Sequence, residues 1–253
     1  MSAPTAVLSP RLTAATTARV LRQLRHDRRT IAMMVLLPSL LLGLLYLLWA
    51  DLPVSPFDAV GLTMLGVFPF VVMFLVTSIA MLRERTSGTL ERLLTTPLSR
   101  LDLLLGYGAA FGLAAAVQAA VTVAVATTLY GLDIAGSPWL VVLIAVANAV
   151  LGVALGLLAS AFARSEFQAV QFMPVVVLPQ FFLCGLLVPR DQMPGWLQAV
   201  SDVLPLTYAV EALQEVGRSA AETGTMWRDV GVVAGAAVLA LALAAATLRR
   251  RSS

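Results

Sequence analysis

The chain has 253 residues, 59% of them hydrophobic and only 12% charged, with a net charge of +3 and a mean hydropathy of +0.89. Globular chains carry roughly 25% charged and 45–50% apolar residues, so this composition excludes an ordinary water-soluble domain and puts the chain in a bilayer. A single cysteine, Cys184, excludes an internal disulfide, and a single histidine, His26, leaves almost nothing for a zinc site.

About thirty mostly polar, arginine-rich residues precede the first apolar run, whereas a cleavable signal opens with a short basic region. The first apolar run is therefore expected to stay as a membrane anchor. Ahead of it, Ser9-Pro10 makes a good N-cap and first helical position. Val20, Leu21 and Leu24 then form an apolar stripe, with Arg22, Arg25 and Arg29 on the other side. Residues 9–29 are expected to form a helix lying in the membrane interface, held by anionic lipid. A basic tail that only fixes topology is the alternative.

A spanning helix needs about 20 apolar residues. Six runs qualify: Ile31–Ala50, Ala59–Leu82, Leu103–Tyr130, Trp139–Ala163, Phe172–Val188 and Val230–Leu248. None of them contains Asp, Glu, Arg or His. Pro174 and Pro179 interrupt the fifth, and neighbouring helices can satisfy the backbone groups that proline frees.

Between the second and third runs stands a charged island, RERTSGTLERLLTTPLSR, from Arg83 to Arg100. Ser87 or Gly88 can cap a helix there, and Glu91 falls in its first turn, where negative charge suits the dipole. Leu90, Leu93 and Leu94 make a narrow apolar stripe, and Pro97 stops it. Ser99 and Asp102 then read as the capping box of the next helix. A short, rigid helix over 83–98 is expected, the alternative being a solvated turn whose charges only enforce topology. After the fifth run, Arg190–Asp229 carries two short amphipathic patterns. Trp196, Leu197, Val200 and Leu204 share one face, and Leu206, Ala209, Val210 and Leu213 share another opposite Glu211 and Glu215.

Arginine placement orients the chain. Fourteen of the 17 arginines fall in the N-terminal segment, the second-to-third and fourth-to-fifth connections and the C-terminal tail; Arg190, Arg218 and Arg228 fall on the opposite side with nine of the 14 acids. Cytoplasmic loops carry the positive excess, so both termini and the charged island are expected in the cytoplasm.

Several chemistries are missing. A phosphate-binding P-loop needs a lysine, and the chain has none; a zinc-protease motif needs two histidines. Thr86-Ser87-Gly88 is not a nucleophile elbow. No ionisable group lies in the six runs to relay protons, as secondary transporters usually require. No catalytic, cofactor-binding or metal-binding residue is assigned, and no nucleic-acid partner is expected. The runs hold mild polar residues, among them Thr77, Gln118, Thr122, Asn148, Gln171 and Gln180. These are expected to bond between helices, with a substrate path as the other reading.

The run RERTSGTLERLLTTPLSRLDLLLGY resembles the signature of ABC-2 type transporter permeases, commonly R-E-R-x-x-G-T-L-E-x-L-x-x-T-P-L-S-R followed by an apolar stretch. Ala163–Pro174 looks like that family's segment between spans four and five. Met193–Leu197 with Leu204–Leu213 looks like its outer segment before span six. The resemblance covers nearly the whole chain and is close to permeases of drug and antibiotic efflux, including the daunorubicin-resistance type. It implies an all-α polytopic membrane protein with six transmembrane helices, an interface helix over 9–29, a short cytoplasmic coupling helix over 83–98 and partly re-entrant outer helices within 190–229. It implies a dimer of permeases, identical or related, in the cell membrane, each docked to an ATP-binding subunit that holds ATP and magnesium. The coupling contact would be carried by Arg83, Glu84, Arg85, Gly88, Thr89, Leu90, Glu91, Arg92, Leu93, Leu94 and Pro97. One departure stands out: Tyr107 occupies the position where family members often have lysine. The implied function is export of an amphipathic small molecule, the alternative cargo being a lipid, haem or a polysaccharide precursor. An intramembrane enzyme or sensor would instead need a catalytic constellation in the spans, and none is visible.

Overall fold

The structure, a computed structural model, describes residues 9–53, 55–89 and 99–250. Among these residues it is all helix in its regular elements: α1 (Pro10–His26), α2 (Arg28–Trp49), α3 (Phe57–Thr86), α4 (Arg100–Thr128), α5 (Pro138–Ala159), α6 (Glu166–Leu183), α7 (Gly195–Ser201), α8 (Pro205–Arg218) and α9 (Gly224–Arg250). Six of them, α2 to α6 and α9, are long and apolar enough to cross a membrane. Short connections make them run back and forth between two ends. One end carries α1, the other α7 and α8.

The centre of the bundle is the α3–α5 pair. In their most apolar stretches 61% and 67% of residues are buried, against 22% in α2, 17% in α6 and 22% in α9. The cause is local and legible in two glycines one helical turn apart. Gly152 sits against the Phe70 carbonyl oxygen, and a Cβ at Gly156 would lie 2.5 Å from that of Phe74. With no side chain between them the backbones close up, which is how helices associate where lipid removes the hydrophobic incentive. Asn148 Nδ2 donates to the Gly66 carbonyl (2.9 Å) and fixes their register.

Several expected boundaries move, each for a local reason. The first interface helix does not reach Arg29: Asp27 ends α1 and caps α2, its carboxylate accepting from the Thr30 amide (3.1 Å) and hydroxyl (2.6 Å). The second spanning helix runs on to Thr86, so Arg83, Glu84 and Arg85 form its last turn and not the start of a separate helix. Gly88, at φ 72°, makes the left-handed turn that follows. The fifth span begins at Glu166 because Ser165 caps it, and it stops at Cys184, before Gly185 at φ 88°.

The two amphipathic patterns near the last span behave oppositely. In α8, Leu206, Ala209, Val210 and Leu213 are buried, and Leu213 fills the space left by Gly66 of α3. In α7 the apolar side faces outward, with Trp196 69% exposed and only Ser201 buried.

Candidate functional site

The densest polar constellation lies where α1 crosses the ends of α3 and α4. It starts at the capping box. The Asp102 amide donates to Ser99 Oγ (2.9 Å), while the Ser99 amide (3.2 Å) and hydroxyl (2.5 Å) donate to Asp102 Oδ2. The other carboxylate oxygen reaches across to α1, accepting from the Ser9 amide (2.9 Å) and the Thr13 hydroxyl (2.8 Å). Asp102 is thus completely buried with four donors, at the positive end of a helix. One turn further on, Thr16 fills the space of the missing Gly106 side chain, and the Thr17 hydroxyl donates to the Gly106 carbonyl (3.3 Å).

Next to this seam, Arg19, Glu84 and Tyr107 tie α1, α3 and α4 together. Arg19 donates to Glu84 Oε1 (3.0 Å) and to the Tyr107 hydroxyl (3.1 Å), and that hydroxyl donates in turn to the same Glu84 oxygen (2.5 Å). Glu84 is 8% exposed, and its second oxygen, Oε2, has no hydrogen-bond partner among the described residues. Burial pulls the Arg19 pKa down, but Tyr107 and Glu84 more than offset it, and the guanidinium ends above its ordinary value. At the rim, Arg83 grips Glu166 of α6 with two bonds (2.7 and 3.1 Å). The hydroxyl and amide of Thr30 hold the Asp27 carboxyl below the usual carboxylate range.

The structure brings only part of the expected coupling set into this cluster. Glu84 is inside it, Arg83 beside it, and Arg85, Gly88 and Thr89 are half-buried where the chain leaves α3. Leu90, Glu91, Arg92, Leu93, Leu94 and Pro97 lie outside the described residues. Of the polar residues in the spans, Thr77, Gln118, Thr122 and Asn148 are completely buried, and neither amide atom of Gln118 has a hydrogen-bond partner among the described residues. Thr122 donates to the Gln118 carbonyl (2.8 Å). Gln180 bonds Val176 and the Leu206 amide, stapling α6 to α8, while Gln171 is exposed. No three of His, Cys, Asp and Glu gather as a metal cage among the described residues.

Sequence reasoning missed Arg19, Thr13 and Tyr107. For Arg19 a signal existed. At about 100° per residue it lies about 60° from the buried Thr16 on the helix wheel, whereas Arg22 and Arg25 lie about 120° and 180° from Thr16. Tyr107, singled out only as a departure from the family pattern, makes its bonds to Arg19 and Glu84.

Residues 11–216 match the family described as ABC-2 type transporter. The chain is 28% identical over 158 residues to the probable multidrug ABC transporter permease YbhR of Escherichia coli K12, covering 62% of this chain and 43% of that one. It is 25% identical over 168 residues to the linearmycin resistance permease protein LnrN of Bacillus subtilis, covering 66% and 43%. It is 29% identical over 141 residues to ABC transporter G family member 20 of Dictyostelium discoideum, covering 56% and 19%. The chain thus spans less than half the length of the curated relatives it matches.

Proposed function

Because the chain belongs to the ABC-2 type transporter family, we propose that it is the membrane subunit of an ATP-driven exporter. Its cargo is an amphipathic small molecule such as a drug, an antibiotic or a secreted natural product. ATP and magnesium are held by a separate ATP-binding subunit that grips residues 83–98, and both chain termini face the cytoplasm of the cell.

The observation that carries this reading is the anchorage of the gripped segment. It leaves the bundle from α3 within a turn of Glu84, which is bonded to α1 through Arg19 and to α4 through Tyr107. A pull on 87–98 therefore acts on three helices at once, and rigid helices turn a local displacement into a change of mutual tilt. Two copies of the permease, or this chain with a related one, enclose the path. The broad apolar faces of α2 and α6, with Leu40, Leu44, Val175 and Phe182 exposed, fit such a partner.

Docking provides the test. Leu93→Ala with Leu94→Ala removes apolar contact worth about 2 kcal/mol per leucine, which weakens ATPase pull-down well over tenfold. Membrane levels should stay normal. Normal docking and normal stimulated ATP turnover in this variant overturn the reading.

A further inference from the structure

Under α1, where α2, α3 and α4 diverge, lies a cavity of about 590 Å³, inside the range of roughly 300–1,000 Å³ that holds drug-sized ligands. Its lining is divided. The deep wall is apolar: Met34 and Leu37 from α2, Val72, Val76 and Ile79 from α3, Phe111 from α4. The shallow end is polar, with Asp27, Thr30, Glu84 and Tyr107. The mouth lies along α2, where Met33 is 64% exposed.

The charge of the polar end is acidic. Asp27 and Glu84 both line it; among the described residues its one lining guanidinium, Arg83, is held by both oxygens of Glu166. Glu84 uses Oε1 for Arg19 and for Tyr107, and Oε2 is left buried with no donor among the described residues. A buried carboxylate oxygen without a donor keeps its desolvation cost uncompensated. The cavity that Asp27 and Glu84 line has room for a positively charged N–H donor near this uncompensated carboxylate, and an apolar sleeve for whatever carries it.

We propose that this cavity binds a cationic amphiphile, a protonated amine on an apolar body, with the ammonium at the acidic end lined by Asp27 and Glu84 and the body lying along Val72, Val76 and Phe111. That the occupant is cargo rests on the exporter reading above; that it binds does not.

The test uses the permease alone, in phosphatidylcholine nanodiscs, with a dodecylamine that carries a photoreactive diazirine in its chain. Adducts are expected within residues 33–37 and 72–80. At equal bilayer content, unlabelled dodecylamine should compete at least tenfold better than dodecanol, and dodecyl sulfate should not compete. Glu84→Gln should bring the amine-to-alcohol ratio close to one. Val76→Trp, which fills the sleeve and leaves the bonds of Glu84 alone, should remove the adducts. Equal competition by amine and alcohol in the unaltered chain, adducts elsewhere, or a ratio that survives Glu84→Gln overturns the proposal. No ATPase is present, so failure here leaves the docking experiment standing, and failure of docking leaves this one standing.

Discussion

Two arginines bridge elements at opposite ends of the molecule, and they do so in different surroundings. Arg19 meets Glu84, whose side chain is 10% exposed, and Tyr107. Arg190 meets Glu211 and Asp202, whose side chains are 32% and 56% exposed, and its own carbonyl accepts from Gln198 (2.6 Å). The arginines themselves are similarly covered, their side chains 27% and 23% exposed. The acceptors make the difference. An ion pair with wet acceptors is screened by salt and contributes little; one with a buried acceptor costs much to break, because a desolvated charge is left behind. The α1 end is thus held by directional bonds that fix angles between helices. The α8 end is held by apolar insertion, with Leu213 seated at Gly66, and its ion pairs are secondary.

That contrast can be broken at its strongest point first. Asp102→Ala strips the acceptor from the Ser9 and Ser99 amides and the Thr13 and Ser99 hydroxyls. At 1–3 kcal/mol for each orphaned buried group, the loss should be about 4 kcal/mol. It should show as a lower thermal midpoint in detergent and as new protease cleavage within residues 9–29. At the other end Leu213→Ala should cost about 3 kcal/mol through the cavity opened at Gly66, with residues 9–29 staying as protected as before. Exposure of α1 in that variant would mean the two ends are not held independently.

Two smaller changes sharpen the comparison of the arginines. Tyr107→Phe removes one hydroxyl that serves both Arg19 and Glu84, and should cost about 1.5 kcal/mol, nearly unchanged between 50 mM and 500 mM salt. Arg190→Ala should cost under about 1 kcal/mol at low salt and less at high salt. Equal salt dependence in the two thermal-melt series would remove the distinction drawn between them.

How much of this was written in the sequence follows from the range of each interaction. The six spans, the stripe of α1, the Ser99–Asp102 box and the buried face of α8 all depend on neighbours within a turn or two, and all are readable there. Asp27 was readable too, as a capping residue three positions before Thr30, but the basic pattern on both sides of it suggested one continuous helix. The stripe of α7 has the right spacing and the wrong orientation, since periodicity does not say whether an apolar face meets protein or surroundings. The Arg19–Glu84–Tyr107 cluster joins residues 65, 88 and 23 positions apart. No local rule connects them, and Tyr107 stood out only as a departure from the family's lysine, which does not say what its hydroxyl bonds.

The length of α3 has a mechanical consequence. At 1.5 Å per residue its 30 residues reach about 45 Å. With Glu84 clamped near one tip, a tilt of about 5° around that clamp carries the Phe57 tip sideways by about 4 Å, close to half of the 8–10 Å that separates packed helices. The close backbone contact at Gly152 and Gly156 prevents α3 from tilting away from α5, so both would swing as one beam. The lever arm thus turns a small rotation at the α1 end into a displacement at the far end wide enough to part α8 from its neighbours.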